Sequence, residues 1–221
     1  MSTLASSPDT LRINEVFFSI QGESTRIGEP CIFIRLTGCD LRCVWCDTEY
    51  AFYEGTEYTI PAILHKIQEF PCRLVEITGG EPLAQPSVYA LMKHLCDDGY
   101  TVMLETGGHR DVSLVDPRVK RVMDIKCPGS KMEKRNRWEN LQHLTANDEI
   151  KFVIADRADY DWSQQIIQKN ELETKCPILM SPVFGKLENR TLAEWILHDR
   201  LNVRFQIQMH KYIWDPTARG V

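Results

Sequence analysis

The sequence predicts an α/β fold built on a mostly parallel sheet, and three observations carry that expectation. Apolar runs of strand length alternate with amphipathic stretches of helix length along the chain. Thr78, Glu105, Lys126 and His210 each fall at or just past the C-terminal end of an expected strand. That is the edge on which α/β barrels and open sheets carry their chemistry. No internal repeat, low-complexity tract or linker interrupts the pattern, so residues 12–221 are expected to form a single domain behind a flexible tail at 1–11.

The elements follow in order. RINEVFFSI at 12–20 alternates at first and reads as a strand, and CIFIRLTG at 31–38 reads as a second with an apolar body. Residues 39–50 hold clustered cysteines and read as a loop. Ile60, Ile63, Leu64 and Ile67 recur at i, i+3, i+4 and i+7, one face of a helix that Thr59 can cap. Pro61 falls in its first turn, where proline is tolerated. RLVEITGG at 73–80 is a strand running into a glycine pair, and Val88, Leu91, Met92 and Leu95 mark the next helix. Strands at 100–108, 119–126, 149–155, 177–183 and 203–211 complete the set, with helices at 159–169 and around 190–198.

A chain of 221 residues can bury a substantial core, and its 43% hydrophobic and 26% charged shares are those of an ordinary globular protein. The net charge of −5 argues against a nucleic-acid-binding body but not against a small anionic substrate, because a local pocket can oppose the global sign. No apolar run reaches the roughly 18 residues of a membrane span. The opening MSTLASSPDTLR has no secretory apolar region. The expected location is therefore cytoplasmic, with no membrane partner and with thiols kept reduced.

Eight cysteines need explaining in that light, and three are clustered as Cys39-Asp-Leu-Arg-Cys43-Val-Trp-Cys46. Thiolates are soft ligands that suit iron-sulfur clusters and zinc. Three of them within eight residues can hold three irons of a [4Fe-4S] cube and leave the fourth open to chelate a small molecule through an amine and a carboxylate. A structural zinc would require a fourth ligand to close its tetrahedron. The spacing, with Trp45 just before the third cysteine, resembles the radical S-adenosylmethionine superfamily. Thr78-Gly79-Gly80-Glu81-Pro82 follows a strand and resembles the edge with which that superfamily binds the amino group of S-adenosylmethionine. Glu105-Thr106-Gly107 ends the next strand and is expected to meet the ribose or the sulfonium of S-adenosylmethionine. The other cysteines (Cys31, Cys72, Cys96, Cys127 and Cys176) are scattered and read as structural.

Beyond the superfamily, the chain resembles the 7-carboxy-7-deazaguanine synthase family from Ile13 to about Trp214. The segments that carry the resemblance are Phe18-Ser-Ile-Gln-Gly-Glu23, Phe33-Ile-Arg-Leu36, Gly38 through Thr48, Ile77 to Pro82, Leu104 to Gly108, Met123-Asp-Ile-Lys126 and Gln208-Met-His-Lys211. It implies a radical S-adenosylmethionine core, a partial, truncated TIM-like barrel of parallel strands. It also implies a lyase of queuosine and 7-deazapurine biosynthesis. That enzyme uses a [4Fe-4S] cluster, S-adenosylmethionine and magnesium to contract the ring of 6-carboxy-5,6,7,8-tetrahydropterin to 7-carboxy-7-deazaguanine with loss of ammonia. A homodimer and a flavodoxin-type electron donor are implied as partners.

The resemblance also implies roles. Cys39, Cys43 and Cys46 hold the cluster, and Thr48 the magnesium, with Asp47 as an alternative oxygen ligand. Trp45 and Asp47 lie against the adenine. Gly80, Glu105, Asp124, Ile125 and Lys126 contact S-adenosylmethionine, although some members have Ser-Pro-Lys where this chain has Asp124-Ile125-Lys126. Ile20, Gln21, Gly22, Thr78 and His210 contact the pterin. Arg35 meets the substrate carboxylate, a role its planar fork suits, and an inward arginine among the apolar residues of CIFIRL needs a partner. Two other readings are open from the residues alone. An activating enzyme that oxidises a glycine on a partner protein would share the triplet and the glycine edge. A zinc-stabilised binding module would leave Gly79-Gly80-Glu81-Pro82 and Lys126 without a role.

Overall fold

The computed structural model describes residues 10–221. The expected tail at 1–9 lies outside them, but Thr10 and Leu11 belong to the first strand, and Leu11 is fully buried. Nine strands form one sheet in the order β3-β1-β2-β4-β5-β6-β7-β8-β9. From β2 (Pro30–Leu36) onward every neighbouring pair is parallel, through β4 (Leu74–Gly79), β5 (Thr101–Thr106), β6 (Lys120–Asp124), β7 (Glu149–Ile154), β8 (Ile178–Pro182) and β9 (Arg204–Phe205). The two strands at the other end of the sheet depart from that rule. β1 (Thr10–Ile20) runs antiparallel to β2 because residues 21–29 are too short a link for a parallel crossover, which takes a dozen or more. β3 (Thr56–Thr59), four residues absent from the sequence expectation, pairs antiparallel with the start of β1.

Helices cover the outer face. α1 (Ile60–Ile67) starts where the Ala62 amide donates to the Thr59 hydroxyl, with Pro61 in its first turn. Its Ile60, Ile63 and Ile67 pack with Val88, Leu91, Met92 and Leu95 of α2 (Val88–Asp97) over Ile32, Ile34, Val75, Ile77, Val102 and Leu104. α3 (Arg157–Lys169), capped by Asp156 onto the Asp159 amide, and α4 (Asn189–His198) cover the second half of the sheet. They contribute Tyr160, Ile167, Leu192 and Ile196 to a core with Met123, Ile125, Ile150, Phe152, Ile154 and Met180. Each fully buried isoleucine or leucine contributes about 2 kcal/mol.

Because strand side chains alternate between faces, the residues between those core positions point inward. Cys31 and Phe33 of β2 share an inner cluster with Leu74, Met103, Val122 and, from β8, Leu179. Four strands separate β2 from β8 in the sheet order, so a shared cluster requires the sheet to curl. β3 and β9 do not pair, and the barrel is partial. Phe33, Arg35, Glu76, Thr78, Glu105, Asp124, Lys151 and Val153 all line its hollow.

The expected strand at 203–211 is mostly something else. β9 contains two residues, and the chain then enters α5 (His210–Ile213). β8 ends at Pro182, which has no amide hydrogen to extend a ladder. The Gln206 amide makes the last bond, to the Met180 carbonyl, while its side chain turns away to the backbone of Ser24. Among the described residues no helix is long and apolar enough to cross a membrane.

Candidate active site

At the C-terminal ends of the parallel strands a cavity of about 790 Å³ opens. It gathers every residue singled out from the sequence except Ile125. On β6 and just beyond it, Asp124 and Lys126 face inward, so Ile125 faces outward and lies buried in the helix-side core. Its expected contact with S-adenosylmethionine is corrected accordingly: the side chain is a packing residue.

The cysteine loop leaves β2 and is fixed at several points. The Asp40 carboxylate stands 2.6 Å from His109 Nε2, 3.0 Å from Arg110 and 2.9 Å from Arg135. Burial opposes its charge, but His109 and Arg110 outweigh that and draw its pKa down to about 2. Arg42 donates to the Cys39 carbonyl and lies over the Phe52 ring, and the Val44 amide donates to the Ser130 carbonyl. Gly80 closes the other side. A β-carbon there would stand 2.2 Å from the Gly38 carbonyl oxygen and 2.9 Å from the Cys39 β-carbon, so only glycine lets the end of β4 lie against the entry to the loop. Glu81, fully buried, accepts from the Thr106 hydroxyl and the Gly107 amide, and so ties the end of β4 to the end of β5.

Cys39, Cys43 and Cys46 are free, half-buried and open to the one cavity. Burial pushes all three thiols up, Cys46 to about 11, where Asp47 adds to the effect. Lys126 acts the other way on Cys39 and Cys43. Such thiols keep their protons at neutral pH until a metal displaces them. Among the described residues no three His, Cys, Asp or Glu side chains converge on one ion-sized point. A cube presents a separate iron to each thiolate and accepts sulfurs spaced more widely than a zinc tetrahedron does, so the donor set fits a three-cysteine cluster.

Beyond the third cysteine, the Asp47 carboxylate accepts from Lys211 at 2.6 Å, from Gln208 at 3.0 Å and from the Thr48 hydroxyl at 3.0 Å. Burial works against its charge and Lys211 overrides it, holding the carboxyl below the ordinary carboxylate range. The oxygens of Asp47 are thus engaged by protein donors, the Thr48 hydroxyl among them, and both residues line the cavity. Trp45, on the cavity wall, carries Lys186 over its ring.

Charged groups line the floor. Lys151, which the sequence reading did not single out, donates to Glu105 at 2.8 Å and pairs closely with Glu23. Burial disfavours its charge, but Glu105 and Glu23 hold it well above its usual value. Lys126 pairs with Asp124 at 2.8 Å. The partner expected of Arg35 is Glu15, also absent from the sequence reading. It accepts from Arg35 Nε at 2.7 Å and from the Tyr50 hydroxyl at 2.9 Å. The two terminal nitrogens of Arg35 make no hydrogen bond to the described residues, and Arg35 lines the cavity. Gln21 is nearly fully buried, with its amide turned to Glu76 and to the Glu23 backbone.

His210 opens α5 instead of ending a strand. What places it is the Met209 amide, which donates to the Gly22 carbonyl at 3.0 Å. A β-carbon on Gly22 would stand 2.3 Å from His210 Nδ1. Burial lowers the His210 pKa and favours a neutral ring at neutral pH. Residues 216–221 also line the cavity, with the Arg219 guanidinium 3.9 Å from the Tyr50 ring centroid. The family resemblance, which ends at about Trp214, does not extend to these residues. A signal did exist for Lys151 and Glu76: each is a charge inside an otherwise apolar parallel strand, EIKFVI or RLVEITGG.

The family model of the Radical SAM superfamily matches residues 33–169. A 7-carboxy-7-deazaguanine synthase from Chlorobaculum tepidum is 49% identical over 215 residues, covering 96% of this chain and 97% of that protein. One from Koribacter versatilis is 43% identical over 226 residues, covering 96% of this chain and the whole of its own. The crystal structure of QueE from Escherichia coli superposes with a TM-score of 0.77 at 24% identity, over 91% of this chain and 95% of that one, and supports the fold. The cysteine loop and its glycine edge, and the relatedness along nearly the whole chain, lead to one conclusion: this chain belongs to the radical S-adenosylmethionine superfamily and, within it, to the 7-carboxy-7-deazaguanine synthase family.

Proposed function

We propose that the cavity converts 6-carboxy-5,6,7,8-tetrahydropterin to 7-carboxy-7-deazaguanine with loss of ammonia, a lyase step of queuosine biosynthesis. The observation that carries this reading is one hollow with three free thiols at its mouth and an arginine with unpaired terminal nitrogens inside it. When bound, a [4Fe-4S] cluster supplies the electron that cleaves S-adenosylmethionine and so starts radical chemistry on the substrate.

The chain's own residues do the rest. Cys39, Cys43 and Cys46 hold the cluster, and the backbone at Gly80, packed against Gly38 and Cys39 on the cavity wall, contacts the methionine amino group. Trp45 and Asp47 form the wall for the adenine, and Glu105, Asp124 and Lys126 present hydrogen-bonding groups to the remainder of the cofactor. Arg35, oriented by Glu15, turns its terminal nitrogens to the substrate carboxylate. Ile20, Gln21, Gly22, Thr78 and neutral His210 enclose the pterin. The Thr48 hydroxyl supplies the one protein oxygen of a magnesium ion that keeps waters and substrate oxygens as its other ligands. The enzyme acts in the cytoplasm, as a homodimer, with a flavodoxin-type electron donor.

The test is product analysis. Anaerobically reconstituted protein, given S-adenosylmethionine, a reductant, magnesium and the carboxytetrahydropterin, is expected to form 7-carboxy-7-deazaguanine. Robust 5′-deoxyadenosine formation without that product would remove the specific assignment.

A further inference from the structure

We infer that Glu76 is a specificity-determining residue of this site: its carboxylate, at the floor of the cavity, takes the two adjacent N–H donors of the substrate's aminopyrimidinone edge. The inference rests on the proposed pterin substrate and names the part of it that is read.

Glu76 occupies an inward position of β4, between Phe33 of β2 and Met103 of β5 in the strand register. It is 5% exposed, and the surface it keeps belongs to the cavity. Its Oε2 accepts from Gln21 Nε2 at 2.5 Å. Its Oε1 accepts nothing from the described residues, yet it is not among the buried atoms sealed off without a partner. A buried carboxyl with half its acceptor capacity unused is costly unless something else fills it.

The surroundings say what kind of group that is. Lys151 is the nearest cation on the floor, and its ammonium is engaged by Glu105 and Glu23. Those two carboxylates repel an anion, so the occupant near Glu76 brings neutral N–H donors. A 2-amino-4-oxopyrimidine presents an amino N–H and a ring N–H side by side, a pair that one carboxylate accepts together. Gln21 cannot read that edge itself, because its amide nitrogen serves Glu76 and its oxygen accepts from the Glu23 amide. It holds Glu76 in place instead.

The strand register sets the two groups near each other. Arg35 pairs with Thr78 in the register and Phe33 with Glu76, so Arg35 lies one strand across and two residues along from Glu76. With the usual strand rise and spacing their α-carbons are roughly 8 Å apart. Both residues line the one cavity, and in this reading one bicyclic acid sets its carboxylate on Arg35 and its aminopyrimidinone on Glu76. Burial, with help from Glu105 and Glu23, raises the free carboxyl to about 8, and two N–H donors would favour its ionised form.

The experiment compares the carboxytetrahydropterin with its analogue lacking the 2-amino group, in wild type, Glu76→Gln and Glu76→Asp. In wild type, loss of the amino group is expected to raise KM about tenfold to a hundredfold. In Glu76→Gln the parent substrate suffers a similar rise, the analogue suffers little more, and Glu76→Asp restores part of the preference. An undiminished preference for the parent in Glu76→Gln overturns the inference. So does a wild type that handles both compounds equally, a comparison that stands even if the variants fail to fold. A wild type that does not turn over the parent at all removes the proposed function as well, which separates the two failures.

Discussion

Lys211 Nζ lies 2.6 Å from Asp47 Oδ2, joining the residue after the third cluster cysteine to the helix that carries His210. The contact spans 164 residues of sequence and sits on the cavity wall. It couples the wall expected to hold the adenine to the wall expected to hold the pterin.

Replacing Lys211 with Met tests that coupling. Lys211 is largely buried while Asp47 stays open on one side, so the stability loss is expected to be modest, about 1 kcal/mol. Catalysis should suffer more, with KM rising for both S-adenosylmethionine and the pterin, because one contact orders both walls. Thermal denaturation and steady-state kinetics check the two halves; a rise confined to one substrate would show that the walls are independent.

For Arg35→Ala, the substrate KM is expected to rise by about a hundredfold, the loss of a charge-assisted contact to a carboxylate. Cleavage of S-adenosylmethionine without substrate should fall far less. Glu15→Gln should reproduce part of the defect, because Glu15 aims the Arg35 fork from Nε. Equal loss of both activities in Arg35→Ala would contradict the carboxylate role.

Glu76 gives a pH-dependent stability. Burial first, then Glu105 and Glu23, raise its carboxyl to about 8, against the opposing effects of Gln21 and Lys151. The folded chain then keeps a proton that the unfolded chain releases above its ordinary pKa of about 4.3. This contribution is complete at low pH and is lost as pH rises from about 4.3 towards 8. Glu76→Gln removes that loss. Its Tm relative to wild type should therefore be higher at pH 8 than at pH 5, by an amount equivalent to 1 kcal/mol or more. A difference independent of pH would contradict the raised carboxyl.

Among the cysteines, alanine at position 39, 43 or 46 should abolish both the broad visible absorbance of the reconstituted protein and cleavage of S-adenosylmethionine. Cys96→Ala, on the outer helix α2, should keep both. Absorbance that survives the loss of any one of the three would remove it from the ligand set.

Much of this was legible in the sequence because it is local. The triplet, the glycine edge and the spacing of Ile60, Ile63 and Ile67 each lie within a dozen residues, and the apolar body of each parallel strand marks burial on both faces. Ile125 was misplaced because the resemblance names a segment, whereas strand alternation decides which of its side chains enter the cavity. VRFQIQMHK has strand composition, which on its own places His210 on a strand. The ladder ends earlier, at Pro182 of the neighbouring strand and at Gln206, whose side chain binds a loop far away in sequence. Glu15, Lys151 and Lys211 acquire their meaning from partners 20, 46 and 164 residues away, respectively, which no local pattern announces.

The most direct test of the central claim limits the cofactor. The resemblance implies that S-adenosylmethionine is regenerated, so reconstituted protein given a small amount of it and excess carboxytetrahydropterin, reductant and magnesium should make 7-carboxy-7-deazaguanine in molar excess over the S-adenosylmethionine supplied. Mass analysis that finds the S-adenosylmethionine consumed to 5′-deoxyadenosine, with no 7-carboxy-7-deazaguanine, would contradict the account.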